Sequence, residues 1–310
     1  MQILKSGPKT TPEILGMPAA GPFSLDDDAA YQQWREGKLS AYPVDIKAER
    51  VEIENPLQLS GEEKDAIIGA CRKTNMALYR FKHPCGDPDD KSRVKKLAQQ
   101  LGLSHLDSNL CADTDGISSL RVTSGGRRHT YIPYSNHKIS WHTDGYYNPP
   151  EQQIRAMLLH CVSPAARGGV NALLDPEIAY IHLRDRNPDY IYALMQPQAM
   201  TIPANEAQGA LIRAAQSGPV FSVSADGNLH MRYTARTRSI EWRDDETTRA
   251  AVACLSAFLN SDVDYVFQHK LEAGEGLICN NVLHNRSAFE DEGEARLLYR
   301  ARYRDRLRDT

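Results

Sequence analysis

The chain has 310 residues, of which 41% are hydrophobic and 25% charged, with a formal net charge of −3 at pH 7. These values are typical of a globular protein and give no electrostatic basis for binding nucleic acid or an anionic membrane. No stretch approaches the roughly 20 apolar residues of a membrane span, and the N-terminal MQILKSGPKTTPEILG has no apolar export signal. Six scattered cysteines form no C-x-x-C pair, which disfavours a zinc ribbon or a disulfide framework. We expect a cytoplasmic protein with a small-molecule partner, and leave open a homo-oligomer.

Proline, glycine and acidic residues dominate the start of the chain. Residues 1–45 are interpreted as an extended arm that precedes a single domain over residues 46–310. The acidic run Asp26-Asp27-Asp28 is a helix cap or a solvated face. Capping patterns predict five later helices, which begin near Ser60, Ser92, Asp175, Asn187 and Asp244 or Asp245; Gly102 ends the second and Asn260 the last.

Seven short β-prone runs are separated by glycine, asparagine and aspartate turns. They cover residues 119–123, 154–162, 219–224, 229–233, 264–269, 276–280 and 296–303. The regular strand-helix alternation of a doubly wound parallel sheet is missing, as are the G-x-G-x-x-G and P-loop patterns. The sequence therefore predicts a mainly β fold, an antiparallel sandwich or barrel with helices packed outside it.

Two H-x-D motifs are candidates for metal binding. His105 and Asp107 follow a predicted helix end, and are interpreted as a turn with a capping acid. His142 and Asp144 follow the β-prone Ile139-Ser-Trp141, and the period of two in a strand places both on one face. Two imidazoles and one carboxylate can occupy one face of octahedral Fe(II), leaving three positions for a chelating cosubstrate and dioxygen. A third ligand is therefore required.

Five histidines downstream are candidates for this third ligand: His160, His182, His230, His269 and His284. His160 lies in an apolar strand and His182 in a helix, so both are interpreted as core residues, whereas His230 stays open. His284 follows GLICNNVL, at the exit of a predicted strand, where it would face the mouth of a barrel.

The last predicted strand places three arginines on one face, Arg296, Arg300 and Arg302. A solvated basic face is the plain interpretation, and it is the one that we adopt for Arg302. Guanidinium also binds carboxylates in a bidentate pair, so Arg296 is a candidate to hold the far end of a dicarboxylate that chelates the metal.

Four segments together resemble the taurine dioxygenase (TauD/TfdA) family of Fe(II)- and 2-oxoglutarate-dependent oxygenases, including its γ-butyrobetaine hydroxylase branch. The segments are WHTDGYYNPPEQQIRAMLLHCVSPAARGGVNALLD, LHMRYTARTR, GEGLICNNVLHNRSAF and ARLLYRARY, in family order from about residue 139 to 304. The resemblance implies a double-stranded β-helix core of the jelly-roll, cupin-like type. It also implies that His142, Asp144 and His284 bind iron, and that Arg296 pairs with the distal carboxylate of 2-oxoglutarate.

Further site residues follow from the same resemblance. Asn171 stands where the family usually has threonine or serine beside the cosubstrate, and an asparagine can also donate a hydrogen bond. Arg300 matches the position that contacts an anionic substrate group, which points to a carboxylate or sulfonate. Tyr146 and Tyr147 are candidates to contact substrate. With Tyr131 and Tyr134 they form either a cation-binding cage or, as we prefer, ordinary packing residues.

The family's chemistry implies Fe(II), 2-oxoglutarate and dioxygen as cofactor and cosubstrates. An unactivated C–H bond of a small anionic or zwitterionic metabolite would be hydroxylated, with release of succinate and CO2. The carboxylate of Asp144 disfavours halogenation, because family halogenases have glycine or alanine there. Desaturation and ring formation remain alternatives, as do a zinc-type hydrolase and a non-catalytic metal-binding barrel.

Overall fold

The computed structural model describes residues 18–310 except 109–110, 208–209 and 237–239. In this part of the chain the fold is mainly β with flanking helices, as the sequence predicts. The α-helices are α1 (Asp28–Ala41), α2 (Gly61–Thr74), α3 (Asp89–Gln100), α4 (Pro176–Arg186), α5 (Pro188–Leu194) and α6 (Glu246–Leu259). Short 3-10 helices cover Ile46–Glu49, Arg127–Thr130, Ile132–Tyr134 and Pro150–Gln152. Among the helices of the described residues, none has the length and apolar character to cross a membrane.

The predicted caps account for most helix starts. Ser60 forms a complete capping box with Glu63, and the side chains of Asp175, Asn187 and Asp245 cap α4, α5 and α6. These four predictions are confirmed.

The start predicted for the second helix is wrong by one turn. α3 begins at Asp89, and the hydroxyl of Ser92 donates a hydrogen bond to the Asp89 carbonyl instead of capping the helix. Asp89 and Asp90 lie in the first turn, where carboxylates interact favourably with the helix dipole. Asp90 also accepts backbone hydrogen bonds from Cys85 and Gly86, which fixes the entry of the chain into the helix.

The N-terminal arm is partly helical. Asp27 accepts a hydrogen bond from the amide of Ala30 and caps α1, which confirms the cap interpretation of the acidic run. The prediction of an extended chain is wrong for residues 28–41, because Tyr31 and Lys38 of α1 are buried against the rest of the protein. Residues 1–17 lie outside the described part, and the domain boundary at residue 45 stays a prediction.

Each of the seven predicted β-prone runs overlaps a strand. The strands are β1 (Val51–Ile53), β2 (Met76–Phe81), β3 (Ser118–Leu120), β4 (Ile139–His142), β5 (Ala156–Ser163), β6 (Arg167–Gly168), β7 (Asn171–Leu174), β8 (Met200–Ile202), β9 (Asn205–Ala207), β10 (Ala210–Arg213), β11 (Gln216–Gly218), β12 (Phe221–Val223), β13 (Leu229–Met231), β14 (Glu241–Trp242), β15 (Phe267–His269), β16 (Glu275–Cys279), β17 (Leu283–Arg286), β18 (Phe289–Glu290) and β19 (Leu297–Tyr303).

Two sheets form the body of the fold. The larger has the order β1-β2-β16-β5-β19-β3 and is antiparallel except for the β1-β2 pair, and the smaller has the antiparallel order β15-β7-β17-β4. Shorter pairings join β8 to β11 and β14, β9 to β10, β12 to β13, and β6 to β18. Across the described residues these pairings leave sheet edges and do not close a barrel.

Hydrophobic clusters lie on both sides of each sheet. One cluster packs the larger sheet on α2 and α3, a second packs the smaller sheet on α4, α5 and α6, and the third lies between the sheets. Alternation along β19 shows the arrangement, since Tyr299 and Ala301 face α2 and α3 while Leu298 faces the other sheet. Arg300 and Arg302 share the face of Leu298, so β19 directs two arginines into the space between the sheets.

Candidate metal centre

Neighbouring strands of the smaller sheet bring together the three residues that the sequence predicts as ligands. His142 on β4 lies directly opposite His284 on β17, and the centroids of the two rings are 4.2 Å apart. Thr143 turns the other way, since its hydroxyl accepts a hydrogen bond from the Tyr233 amide, so Asp144 returns to the face of His142. One potential ligand atom from each of His142, Asp144 and His284 lies within 4.8 Å of the other two.

Backbone carbonyls orient both imidazoles. Nδ1 of His142 lies 2.9 Å from the Ser140 carbonyl oxygen, and Nδ1 of His284 lies 2.9 Å from that of Val282. Because a carbonyl only accepts, each Nδ1 carries the proton and each Nε2 keeps a lone pair, which is the state that a metal needs. Burial lowers the pKa of His142 to about 3 and also lowers that of His284, so both rings are neutral at pH 7.

The carboxylate of Asp144 is buried, and its two oxygens differ in their contacts. Arg300 Nη1 donates to Oδ1 at 3.2 Å and Arg302 Nη1 lies 3.9 Å from the same oxygen. Burial acts to raise the pKa of Asp144, but the two guanidinium groups hold it well below its usual range. Oδ2 is buried and accepts no hydrogen bond from the described residues, an arrangement that is costly unless a cation binds there. The donor set of two neutral imidazoles and one carboxylate therefore fits Fe(II).

Asn281 links the two halves of the centre, and sequence reasoning missed it. Its side chain accepts a hydrogen bond from the Asp144 amide at 2.7 Å and donates to the carbonyls of Asp144 at 2.9 Å and Ile154 at 2.6 Å. The residue lies in the turn between β16 and β17 with φ +51°, a conformation that asparagine tolerates better than most residues. The Asn-Asn pair before His284 was the available signal of a tight turn.

Two buried arginines lie beside the metal centre. Arg296 is 4% exposed, and its guanidinium forms no hydrogen bond or ion pair with the described residues; burial lowers its pKa, and the nearby charge of Asp291 offsets this in part. Arg286, which the sequence did not suggest, donates to the carbonyls of Ser135 and His137. Both guanidinium carbons lie 4.8 Å from the centroid of the Phe289 ring.

A narrow cavity of about 40 Å³ connects these arginines to the metal ligands. His142, His284, Asn171, Arg286, Arg296 and Arg300 all contribute to its wall. Asn171 lies opposite Arg286 in the β7-β17 register and therefore beside the cavity, and its role toward the cosubstrate stays a prediction. A larger cavity of about 430 Å³ lies near α6 and is lined by none of the three candidate ligands, whereas His142 and His284 line the smaller one.

The interpretations of Arg302 and Asp107 are wrong. Arg302 is not solvated: it is 2% exposed, pairs with the carboxylate of Asp107 and donates to the Tyr147 hydroxyl at 2.9 Å. Asp107 therefore serves as an ion-pair partner and not as a cap, because the pairing of its segment with β19 brings it to Arg302. His105 is exposed and pairs with Asp305, so both residues of the first H-x-D motif have side-chain partners within the protein.

The four tyrosines do not surround a common space. Tyr134 is buried and its hydroxyl donates to the Cys111 carbonyl, which agrees with ordinary packing. Tyr146 packs edge-on against His142, with the ring centroids 6.4 Å apart, and its own ring lies 5.2 Å from that of Tyr147. Tyr146 therefore lies beside a candidate ligand, and Tyr147 lies behind it.

The other candidate histidines are used elsewhere. His160 is completely buried, with Nδ1 3.1 Å from the Tyr79 hydroxyl, and is a core residue as expected. His182 stacks on Phe258 but is only half-buried, so the core interpretation holds for it only in part. His269 pairs with Glu275 at 3.0 Å. His230, left open from the sequence, does not join the group of possible ligands found among the described residues.

The amino-acid sequence of the chain is similar to those of known dioxygenases. The family model described as "Taurine catabolism dioxygenase TauD, TfdA family" matches residues 38–302. A "Uridine-5'-phosphate dioxygenase" of Amycolatopsis sp is 31% identical over 173 residues, which are 53% of this chain and 60% of that protein. A protein of the same name from Streptomyces sp is 29% identical over 202 residues, 62% of this chain and 71% of that protein. The alignment with the first relative thus spans less than two thirds of its length.

Solved structures show the same fold at low identity. The non-heme iron oxygenase OrfP has a TM-score of 0.60 at 16% identity, covering 82% of this chain and 83% of that one. A putative alpha-ketoglutarate-dependent taurine dioxygenase from Burkholderia xenovorans has a TM-score of 0.54 at 15% identity, covering 82% and 88%. Because the family model covers most of the sequence, the chain belongs to the taurine catabolism dioxygenase TauD, TfdA family of iron- and 2-oxoglutarate-dependent oxygenases, as its motifs predict.

Proposed function

We propose that the chain is an Fe(II)- and 2-oxoglutarate-dependent dioxygenase that hydroxylates an unactivated C–H bond of a small anionic metabolite. The observation that carries this proposal is the group of His142, Asp144 and His284, in which two neutral imidazoles lie near a carboxylate whose buried Oδ2 has no hydrogen-bond partner among the described residues. In the proposal these three residues hold Fe(II). The bound iron would supply the redox chemistry that couples decarboxylation of 2-oxoglutarate to oxidation of the substrate.

The cosubstrate is assigned to the cavity beside the metal centre. Arg296 would pair with the distal carboxylate of 2-oxoglutarate, since it is a buried cation whose guanidinium forms no ion pair with the described residues. Asn171 would add a hydrogen bond from the neighbouring strand. Arg286, held in place by two backbone carbonyls, would add positive potential without leaving its position.

The two sheets support a jelly-roll interpretation of the core. They enclose a hydrophobic cluster, and the candidate ligands lie at one end of the space between them. We propose that the sheets are the two halves of a double-stranded β-helix. The domain division at residue 45 is retained as part of the proposal.

The substrate's anionic group is proposed to be a phosphate monoester, as in a nucleoside 5′-phosphate. Two relatives bear the name "Uridine-5'-phosphate dioxygenase", which favours phosphate over the carboxylate or sulfonate expected from the sequence. Arg300 supplies a guanidinium next to Asp144, and its buried Nε has no acceptor in the described residues. The rings of Tyr146 and Tyr147 offer surfaces on which a base can stack. Desaturation and cyclisation differ from hydroxylation only in how the substrate is placed.

The class is tested on the protein with Fe(II). Anaerobic addition of Fe(II) and 2-oxoglutarate is expected to give a weak visible charge-transfer band, and oxygen is then expected to yield succinate. His142→Ala or Asp144→Ala should lose the band and the turnover, because each removes a ligand, whereas His105→Ala in the other H-x-D motif should keep both. Wild-type protein without the band, or turnover retained by both ligand variants, would contradict the assignment. A zinc-type hydrolase would instead act without oxygen.

The substrate is tested by substrate-stimulated succinate formation. Uridine 5′-phosphate and other nucleoside 5′-phosphates are compared with uridine, which lacks only the phosphate, and with small sulfonates and carboxylates. Stimulation by a phosphate but not by uridine is the expected result. Stimulation by a sulfonate or carboxylate alone would overturn the phosphate assignment while leaving the enzyme class intact.

A further inference from the structure

Asp107 belongs to a short segment that runs along the edge of β19. Leu106 forms a bridge with Tyr303, and the Asp107 amide donates to the Arg302 carbonyl at 2.8 Å. The carboxylate is 6% exposed and faces two arginines: Oδ2 accepts from Nη2 of Arg302, and Oδ1 lies 3.8 Å from Nη2 of Arg304. The backbone and the side chain of Asp107 thus both bind the strand that carries Arg302.

Arg302 divides its contacts between Asp107 and the metal centre. While Nη2 is held by Asp107, Nη1 donates to the Tyr147 hydroxyl at 2.9 Å and lies 3.9 Å from Oδ1 of Asp144. A guanidinium is a rigid fork, so anchoring one nitrogen fixes the direction of the other. The ion pair with Asp107 therefore keeps Nη1 of Arg302 on the Tyr147 hydroxyl and out of hydrogen-bond distance of Asp144.

Among the buried groups around Asp144, the charges balance only when Asp107 is included; Arg304 is left out of this count because its side chain is 44% exposed and its charge is screened by solvent. Arg300 and Arg302 are two buried or nearly buried cations, and Asp144 supplies one negative charge and Asp107 the second. Without Asp107 the group would carry a net positive charge next to a site for a divalent cation, where repulsion is weakly screened. An unanchored Arg302 would also be able to close on Asp144 and compete with the metal for its carboxylate.

We propose that Asp107 is a positioning residue of the metal centre, which holds Arg302 on Tyr147 and offsets its charge so that Asp144 stays available to the metal. The proposal rests on the proposed function of His142, Asp144 and His284. It gives a role to the acid of the first H-x-D motif, which takes no part in metal ligation itself.

Three variants test this role through metal affinity, measured by anaerobic titration with Fe(II), and with Co(II) as a redox-stable probe. Asp107→Asn keeps the shape but removes the charge, and is expected to weaken metal binding about 10- to 100-fold, the usual effect of losing a group that supports a ligand. Arg302→Met is expected to bind metal at least as tightly as wild type, because it removes the competing cation. The double variant should recover wild-type affinity to within a few-fold.

A matched control acts on the same segment. Asp305 accepts hydrogen bonds from the amides of Ser104 and His105 but does not contact Arg302, so Asp305→Asn should leave metal affinity unchanged. Thermal unfolding of each metal-free variant reports folding separately from metal affinity.

The outcomes separate this proposal from the function on which it rests. Wild-type affinity in Asp107→Asn would overturn it, and so would weakened binding in Arg302→Met, which a merely structural ion pair predicts. If Asp107→Asn does not fold, the metal affinity of Arg302→Met still tests the proposal. If wild-type protein binds neither metal ion, the proposed function fails and this inference fails with it.

Discussion

Arg296 is the residue whose burial most needs a ligand to explain it. It is 4% exposed, and its guanidinium forms no ion pair with the described residues, although the charge of Asp291 acts on it from a distance. We expect Arg296→Met to weaken 2-oxoglutarate binding by about 2–5 kcal/mol, roughly 30-fold or more, because the distal carboxylate would lose its charged partner. The stability of the metal-free protein should stay the same or rise, since an unpaired buried cation is removed. Titration of the anaerobic charge-transfer band gives the affinity, and thermal unfolding gives the stability.

Arg286→Met is the matched control for Arg296→Met. The Arg286 guanidinium donates to the carbonyls of Ser135 and His137, so its loss should destabilise the protein by about 1–3 kcal/mol. Its effect on 2-oxoglutarate affinity should be the smaller of the two. If instead Arg296→Met destabilises the protein and leaves the affinity unchanged, Arg296 has a structural role and the cosubstrate assignment is wrong.

The turn between β16 and β17 is the element that sets the geometry of the ligands. Asn281 in this turn makes three hydrogen bonds to the backbone of Asp144 and Ile154. Asn281→Ala should destabilise the protein by about 2–4 kcal/mol, because it leaves buried backbone groups unpaired. It should also weaken Fe(II) binding about 10- to 100-fold by releasing Asp144. Chemical denaturation and anaerobic metal titration measure the two effects.

Asn281→Gly separates the side chain of this residue from its backbone conformation. Glycine adopts the positive φ of +51° without strain, so Asn281→Gly should be more stable than Asn281→Ala by about 1 kcal/mol. Metal affinity should fall equally in both variants, because both lack the side-chain amide. Wild-type affinity in Asn281→Gly would show that the turn, and not its hydrogen bonds to Asp144, positions the ligand.

Elements with local signals were predictable from the sequence, and contacts between distant segments were not. The capping box at Ser60 and the period of two that joins His142 to Asp144 are contained within a few residues. The bonds of Asn281 to Asp144 and of Arg302 to Asp107 instead join residues 137 and 195 positions apart. Nothing local distinguishes Asp107 from a capping acid, so its partner appeared only once β19 and its edge were in place.

At the scale of the whole molecule, the order of strands was the part that the sequence could not supply. β16 lies between β2 and β5, and β17 lies between β7 and β4, so in both sheets a late strand is inserted between two earlier ones. The family resemblance implied the ligand set, but the space between the sheets depends on this interleaving. α1 packs against the rest of the protein, because its residue Tyr31 belongs to the same hydrophobic cluster as residues of α4.

A substitution at Lys38 tests whether α1 unfolds together with the rest of the protein. Its ammonium lies 2.6 Å from Asp175 Oδ2 and 2.5 Å from Glu177 Oε2, in a buried position at the start of α4. Lys38→Met leaves two acids without their cation, so the free energy of unfolding should fall by about 3–5 kcal/mol. Arg35→Met is the matched control, because its pair with Asp185 is about one-third exposed and should contribute at most about 1 kcal/mol. Both variants should unfold in a single transition in urea. A separate early transition of α1 in Lys38→Met would show instead that residues 1–45 are an independent arm, as the domain division predicts.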